Sequence, residues 1–405
     1  MRILFVSDVY FPRVNGVSTS IRTFRGDLAR LGVETILVAP AYPNAPADSD
    51  PSIIRVPSGG VPRDPEDRRF LGGPLRKALN ADLAAKVDLV HIHTPFIAHY
   101  AAVRFAREHG LPVVATYHTF FEDYLHHYVP ILPRGIGRFL ARRFTLSQCD
   151  DVAALISPSA PMRDALLAYG VQVPIEVLPT GLPAESFIRG DGAMFRAQFN
   201  LPADRPLLLY VGRVAYEKNI DFLLRMFVRV RARRPDALFV IAGEGPALGH
   251  LNKLARELGV AGHVKFIGYL DRNTELPNCY AAGDAFVFAS RTETQGLVLL
   301  EAMAQGTPVV STAELGTRSI LTEGCGAFVV PEDEEEFALA TLDALDVKAG
   351  DPRRAQLHTH AESWASHAMA RKLLAFYEKV RGAAQQGVVR SHSPPAAELA
   401  PERAP

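Results

Sequence analysis

Charge of one sign, cysteine and long apolar runs are all scarce in this 405-residue chain, and each shortage closes off a class of function. Lys plus Arg number 44 and Asp plus Glu 44, a formal net charge of zero. Such a balance supplies no global field to draw in nucleic acid. The three cysteines, Cys149, Cys279 and Cys325, lie far apart and form no Cys-x-x-Cys pair. That spacing argues against a disulfide framework or a zinc knuckle and fits a reducing compartment. No stretch approaches the roughly 18–20 apolar residues of a membrane-spanning helix. The opening apolar run meets Asp8 at once and has neither the length nor the basic start of a secretory signal. The expectation is a cytoplasmic protein that at most touches the inner face of a membrane.

What the chain has is hydrophobic residues, 48% of it, in a pattern that repeats. Its length suits two domains rather than one. Ile3-Leu4-Phe5-Val6 reads as a buried strand, followed by a polar turn and a helix over about 18–31 with Ile21, Phe24, Leu28 and Leu31 on one face. Thr35 to Val38 is the next strand. This strand–helix–strand unit implies a parallel sheet covered on both faces. It recurs through Val87–Ile92, a helix over Ile97–His109, and Pro112–Thr116. After a linker at Pro179-Thr180-Gly181-Leu182-Pro183 the alternation restarts at Leu207–Val211. The reading is α/β: residues 1–180 and 181–363 form two doubly wound, Rossmann-like domains facing a central cleft. An amphipathic helix over about 364–384 packs back on the first domain. Residues 385–405, rich in Pro, Ala and charge, are expected to be a disordered tail.

Ligands of doubly wound sheets sit at the carboxyl ends of the strands, so the turns there are the places to search. Asn15-Gly16-Val17 follows the first strand, and Gly16 would let a ligand approach the backbone. Gly212-Arg213…Glu217-Lys218-Asn219 follows the strand that opens the second half. Arg213 can grip phosphate oxygens bidentately and Lys218 adds a point charge. Glu293-Thr294-Gln295-Gly296-Leu297-Val298…Glu301 follows another buried strand. A helix starting near Gly296 would aim the amides of Gly296, Leu297 and Val298 at the cleft. Glu293 and Glu301 would accept hydrogen bonds from sugar or ribose hydroxyls.

Together these elements resemble glycosyltransferase family 4, whose fold is GT-B. Glu293 and Glu301 match its E-x7-E motif, and Arg213 with Lys218 its phosphate-binding pair. Gly16 matches its N-terminal glycine loop, Leu178-Pro179-Thr180-Gly181 its interdomain segment, and Gly243-Glu244-Gly245-Pro246 its G-x-G-P turn. The likeness spans about residues 1–380. It implies a retaining hexosyltransferase using a nucleotide diphosphate sugar of the UDP-glucose or GDP-mannose type, without metal or other cofactor. By the same resemblance, Arg213 and Lys218 would stabilise the leaving diphosphate, Glu301 would hold the ribose, and Glu293 would contact the transferred sugar. Gln295, Leu297 and Val298 would belong to the donor site, and Gly268-Tyr269 would border the base. His118, in Thr116-Tyr117-His118-Thr119, would sit against the donor sugar.

The acceptor is less legible. Asn15-Gly16-Val17-Ser18 and Thr116-Tyr117-His118-Thr119-Phe120…Tyr124 look most like the branch acting on diacylglycerol, phosphatidylinositol and related lipids. The segment 134–144 mixes arginines with Ile136, Phe139 and Leu140. As a helix it could lie on an anionic membrane or bury its apolar stripe. His126-His127 would line an acceptor loop or face solvent. His91 and His93 share one face of a strand, and structural roles are expected of them. The alternatives are a polysaccharide or lipid-linked oligosaccharide acceptor, and a UDP-sugar epimerase, which needs no acceptor.

Overall fold

The computed structural model describes residues 1–43, 45–61, 64–118, 134–272 and 274–387. The chain opens with β1 (Arg2–Val6), β2 (Glu34–Pro40) and β3 (Ile53–Val56). An antiparallel hairpin follows, β4 (Ser58–Val61) and β5 (Asp64–Phe70). Then come β6 (Leu89–Ile92), β7 (Val113–Thr116), β8 (Ala154–Ser157) and β9 (Ile175–Val177). Apart from the hairpin, these strands form one parallel sheet in the order β3-β2-β1-β6-β7-β8-β9.

The second sheet uses β10 (Leu207–Val211), β11 (Leu238–Ala242), β12 (Val264–Gly268), β13 (Ala285–Phe288), β14 (Val309–Ser311) and β15 (Phe328–Val329). Its order is β12-β11-β10-β13-β14-β15, again parallel. All five residues of β10 and of β11 are buried. That is why these strands read as unbroken apolar runs rather than alternating ones. In each sheet the strand order reverses beside the first strand, at β1/β6 and at β10/β13. These are the switch points where a doubly wound sheet opens a crevice.

The helices follow from spacing and caps. Gly16–Arg30 starts where the Asn15 side chain accepts the Ser18 N–H at 2.9 Å, and it buries Ile21, Phe24 and Leu28. Ile97–His109 ends at Gly110 in the left-handed conformation.

The chain crosses between the halves twice, and the crossings pair. The Leu182 N–H donates to Trp364 O and the Ser366 N–H to Leu182 O, both at 2.8 Å. The last helix, Ser366–Gln385, then sets Leu373, Phe376 and Tyr377 into the first domain's core beside Ile21, Phe24 and Leu28. Burying Leu373 and Phe376 there stabilises by about 1.5–3 kcal/mol each.

The segment 134–144 is the start of the helix Arg134–Cys149. Ala141, Thr145 and Cys149 face the core, whereas Ile136, Phe139 and Leu140 are 52%, 59% and 48% exposed. Phe144 packs against the core, while Ile136, Phe139 and Leu140 point to solvent. His126, His127, Tyr124, Tyr128 and the tail from 388 onward lie outside the described residues. No helix among the described residues is long and apolar enough to cross a membrane.

Candidate active site

One cavity of about 780 Å³ lies between the two sheets at their carboxyl ends. It gathers His118 and Gly16 of the first domain with Arg213, Lys218, Gly243, Tyr269, Glu293, Gln295, Gly296, Leu297, Val298 and Glu301 of the second. Of the residues that the sequence assigns to the donor and catalytic site, only Gly268 stands outside its lining. Gly268 instead joins two loops, its carbonyl accepting the Gly243 N–H at 2.7 Å.

Three loops at the end of the second sheet are packed backbone to backbone. The Gly212 N–H reaches Ala242 O at 3.0 Å and the Val214 N–H reaches Glu244 O at 2.8 Å. Gly243 has φ +135, and a Cβ there would sit 2.0 Å from Gly212 O. A main-chain oxygen in a sheet-end turn cannot swing aside. We expect Gly243→Ala to cost at least about 3 kcal/mol of stability, combining the clash with the disfavoured φ. Chemical denaturation measures it; a loss under 1 kcal/mol would mean that the turn repacks.

The cations face the centre of the cavity. The Lys218 ammonium donates to Glu293 Oε2 at 2.7 Å, both side chains being about four-fifths buried. An ammonium has three N–H donors, so two remain beyond Glu293. Arg213 Nη1 lies 3.7 Å from Glu217 Oε1 of a carboxylate that is itself buried. Gly296 takes φ +96 and caps the helix Leu297–Ala304. A first helical turn leaves its N–H groups without intrahelical partners, a natural seat for phosphate oxygens.

The two domains meet at this point. Thr294 Oγ1 donates to His118 O at 3.0 Å, and Ser159 Oγ donates to Thr294 O at 2.8 Å. Gln295 lines the cavity and also bonds the interdomain segment. Its Oε1 accepts the Thr180 N–H at 2.8 Å and its Nε2 donates to Thr180 O at 2.6 Å. Its amide clamps the interdomain segment at the edge of the cavity.

His118 is partly buried in the cavity wall, and desolvation there holds its pKa down at about 4, so the imidazole is neutral across the physiological range. Its Nε2 lies 3.4 Å from His93 Nδ1, and its ring stacks on that of His93, which packs at a tilt against His91 with ring centroids 4.0 Å apart. His91 bonds Tyr377 of the last helix at 2.6 Å and Thr116 at 2.7 Å. Burial pushes both His91 and His93 well below the ordinary imidazole value. His91 thus has the structural role expected of it, while His93 also lines the cavity. No group of three metal-ligating side chains suited to an ion occurs among the described residues.

Two known families match successive parts of the chain. A family described as Glycosyltransferase Family 4 matches residues 14–186, and one described as Glycosyl transferases group 1 matches 193–364. The chain is 34% identical over 354 residues to an alpha-monoglucosyldiacylglycerol synthase of Streptococcus pneumoniae, covering 85% of this chain and 78% of that one.

The chain belongs to glycosyltransferase family 4.

A second synthase of the same name, from Acholeplasma laidlawii, is 28% identical, with 76% of this chain and 80% of that one covered. Sucrose-phosphate synthase of Thermosynechococcus elongatus superposes with a TM-score of 0.77 at 22% identity over 94% of this chain and 99% of that one. This family-4 glycosyltransferase is therefore a hexosyltransferase of the GT-B fold.

Several residues at its cleft gave no sequence signal. Asp8 is buried at the cavity wall, accepting from Thr94 Oγ1 at 2.8 Å and from the Ala98 N–H at 3.0 Å. Burial raises its pKa to about 6. Arg13 spans the domains, its Nη1 donating to Tyr269 OH at 2.9 Å and its Nε to Asp67 Oδ1 at 3.1 Å. Arg272 and the Tyr280 hydroxyl both hold the Glu301 carboxylate.

Proposed function

We propose that the enzyme transfers glucose from UDP-glucose, with retention of anomeric configuration, to the free hydroxyl of diacylglycerol in the cytoplasmic leaflet of a membrane. The observation that carries the donor site is the meeting of Arg213, Lys218, Glu293, Glu301 and His118 around one cavity. The residues 1–180 bind the acceptor and 181–363 the nucleotide sugar. The names of the two synthases support the sugar and the lipid.

Arg213 and Lys218 neutralise the diphosphate, with the Leu297 and Val298 amides beside it. Glu301 takes the ribose hydroxyls, and Tyr269 borders the base. Glu293 and the neutral His118 orient the sugar. A double displacement needs a carboxylate about 5 Å from its acid partner and free to attack. Glu293 is tied to Lys218, which favours front-face transfer. The bond from the anomeric carbon to the phosphate oxygen breaks with its electron pair on phosphate. The acceptor oxygen closes on the same face, and its proton passes to the departing phosphate. Catalysis is then positioning and charge stabilisation, with no metal required.

The exposed Ile136, Phe139 and Leu140, on a helix carrying Arg142 and Arg143, suit peripheral contact with anionic lipid. Incubation with vesicles of phosphatidylglycerol and diacylglycerol should yield a glucosylated lipid from UDP-glucose and none from GDP-mannose. The protein should sediment with those vesicles at low salt and leave them at high salt. Transfer only from GDP-mannose would reassign the donor. Transfer only to a soluble glycan would overturn the lipid acceptor.

A further inference from the structure

Glu301, assigned the ribose hydroxyls above, has its carboxylate already engaged by Arg272 and by the Tyr280 hydroxyl, the latter at 2.8 Å. Its side chain is only 6% exposed. Two ribose O–H donors would compete with the Arg272 N–H donors for the same oxygens. A guanidinium displaced from a buried carboxylate cannot be left unpaired without a large penalty. It needs another anion within the reach of one side chain.

A carboxylate lines a cavity that Arg272 also lines. A second cavity of about 230 Å³ adjoins the first and shares Arg272 and Glu301 with it. Across this cavity stands the first domain's helix Gly16–Arg30, contributing Arg22, Asp27 and Arg30. Asp27 is 3% exposed. Its Oδ1 accepts from Arg30 at 2.5 Å, while its buried Oδ2 has no hydrogen-bond partner among the described residues. The other carboxylate on that wall, Glu185, is two-thirds exposed and lies 3.7 Å from Arg30. Asp27 is therefore the buried half-used acceptor in the cavity that Arg272 also lines. Burial, together with the like charge of Arg22, lowers the Arg272 pKa to about 10 where it now sits.

We propose that Arg272 is a donor-responsive latch: when ribose hydroxyls take Glu301, its guanidinium turns into the adjoining cavity and pairs with Asp27. Nucleotide binding in the second domain thereby adds an ionic contact to the first. This inference rests on the ribose role of Glu301.

Calorimetric titration of the full chain with UDP, and with inorganic pyrophosphate as a probe lacking ribose, tests it. Asp27→Asn keeps the side chain's size and its Arg30 contact but removes the charge. It should weaken UDP about tenfold, within the usual range of coupling between sites, and leave pyrophosphate unchanged. The same substitution should have no effect on UDP in an Arg272→Met background. Asp27→Ser serves as a second variant with the same expectation should the first fold poorly. The latch is overturned if Asp27→Asn leaves UDP affinity unchanged, weakens both probes equally, or acts just as strongly without Arg272. Glu301→Gln separates the two claims. If it fails to weaken UDP, the ribose assignment falls; if it weakens UDP while Asp27→Asn does not, only the latch falls.

Discussion

Replacing Arg213 with alanine should lower kcat on the order of 10³-fold and raise the donor KM about tenfold. Removing a single preorganised donor from a developing oxyanion costs 10²–10³ in rate. Arg213 carries a full charge and a fork that can hold two oxygens at once. The charge on the departing diphosphate grows as the glycosidic bond breaks, so most of the loss belongs to the transition state and appears in kcat. Glu217 sharpens the expectation. Its buried carboxylate faces Arg213 at 3.7 Å, so the guanidinium is aimed before substrate arrives. Arg213→Lys should recover little, since an ammonium has no fork. Glu293→Ala should lower kcat about a hundredfold for a second reason, because it also releases Lys218 from its 2.7 Å contact. Steady-state kinetics with a saturating acceptor reads both. A variant that loses only KM would mean that Arg213 binds the ground state and transition state alike. Near-normal turnover of Glu293→Ala would remove its contact with the sugar.

The parts of this site legible in the sequence are those that local chemistry dictates. A buried strand such as Leu207–Val211 announces itself by five apolar residues, and the turn after it is where a ligand must sit. Arg213, Lys218, Glu293 and Glu301 all lie within 13 residues after such a strand, so strand-end logic and motif spacing found them together. The hairpin Ser58–Phe70 was not visible because two glycines and a charged second strand break any alternation. Arg13 and Asp8 were invisible for another reason. Their partners, Tyr269 and Thr94, lie 256 and 86 positions away, and a lone polar residue beside a strand carries no periodic signal. Gln295 shows the converse. Its position in the motif suggests a donor contact, but its amide is used by the Thr180 backbone, which only the folded crossing brings near. Arg272 and His93 likewise gain meaning from what they touch.

The histidine stack makes the second large effect one of stability. His91 and His93 are buried and His118 partly so, and all three are neutral, His118 with a pKa of about 4 and the other two held well below the ordinary value. In the unfolded chain each would titrate near 6.5. A depressed histidine pKa contributes stability that is present above 6.5 and lost as pH falls toward the folded value. Asp8 has the opposite sign. Its pKa, raised to about 6 from the ordinary 3.8, means that its burial favours the fold below 3.8 and ceases to do so as pH rises through 6. At pH 5 unfolding therefore takes up protons on the histidines of the stack and releases most of one from Asp8. The histidines outnumber Asp8, so stability falls with pH in this range, by about 1.4 kcal/mol per pH unit for each net proton taken up. Urea denaturation at pH 7.5, 6 and 5 should show the midpoint collapsing across this range. His93→Gln should flatten the dependence by about 1.4 kcal/mol per unit. A stability that stays level from 7.5 to 5 would mean that the stack accepts protons without unfolding. Because His118 stays neutral in the fold, transferase activity measured below pH 6 should fall with the folded fraction. It should not fall with an imidazole titration at 6.5, and rates normalised to folded enzyme tell the two apart.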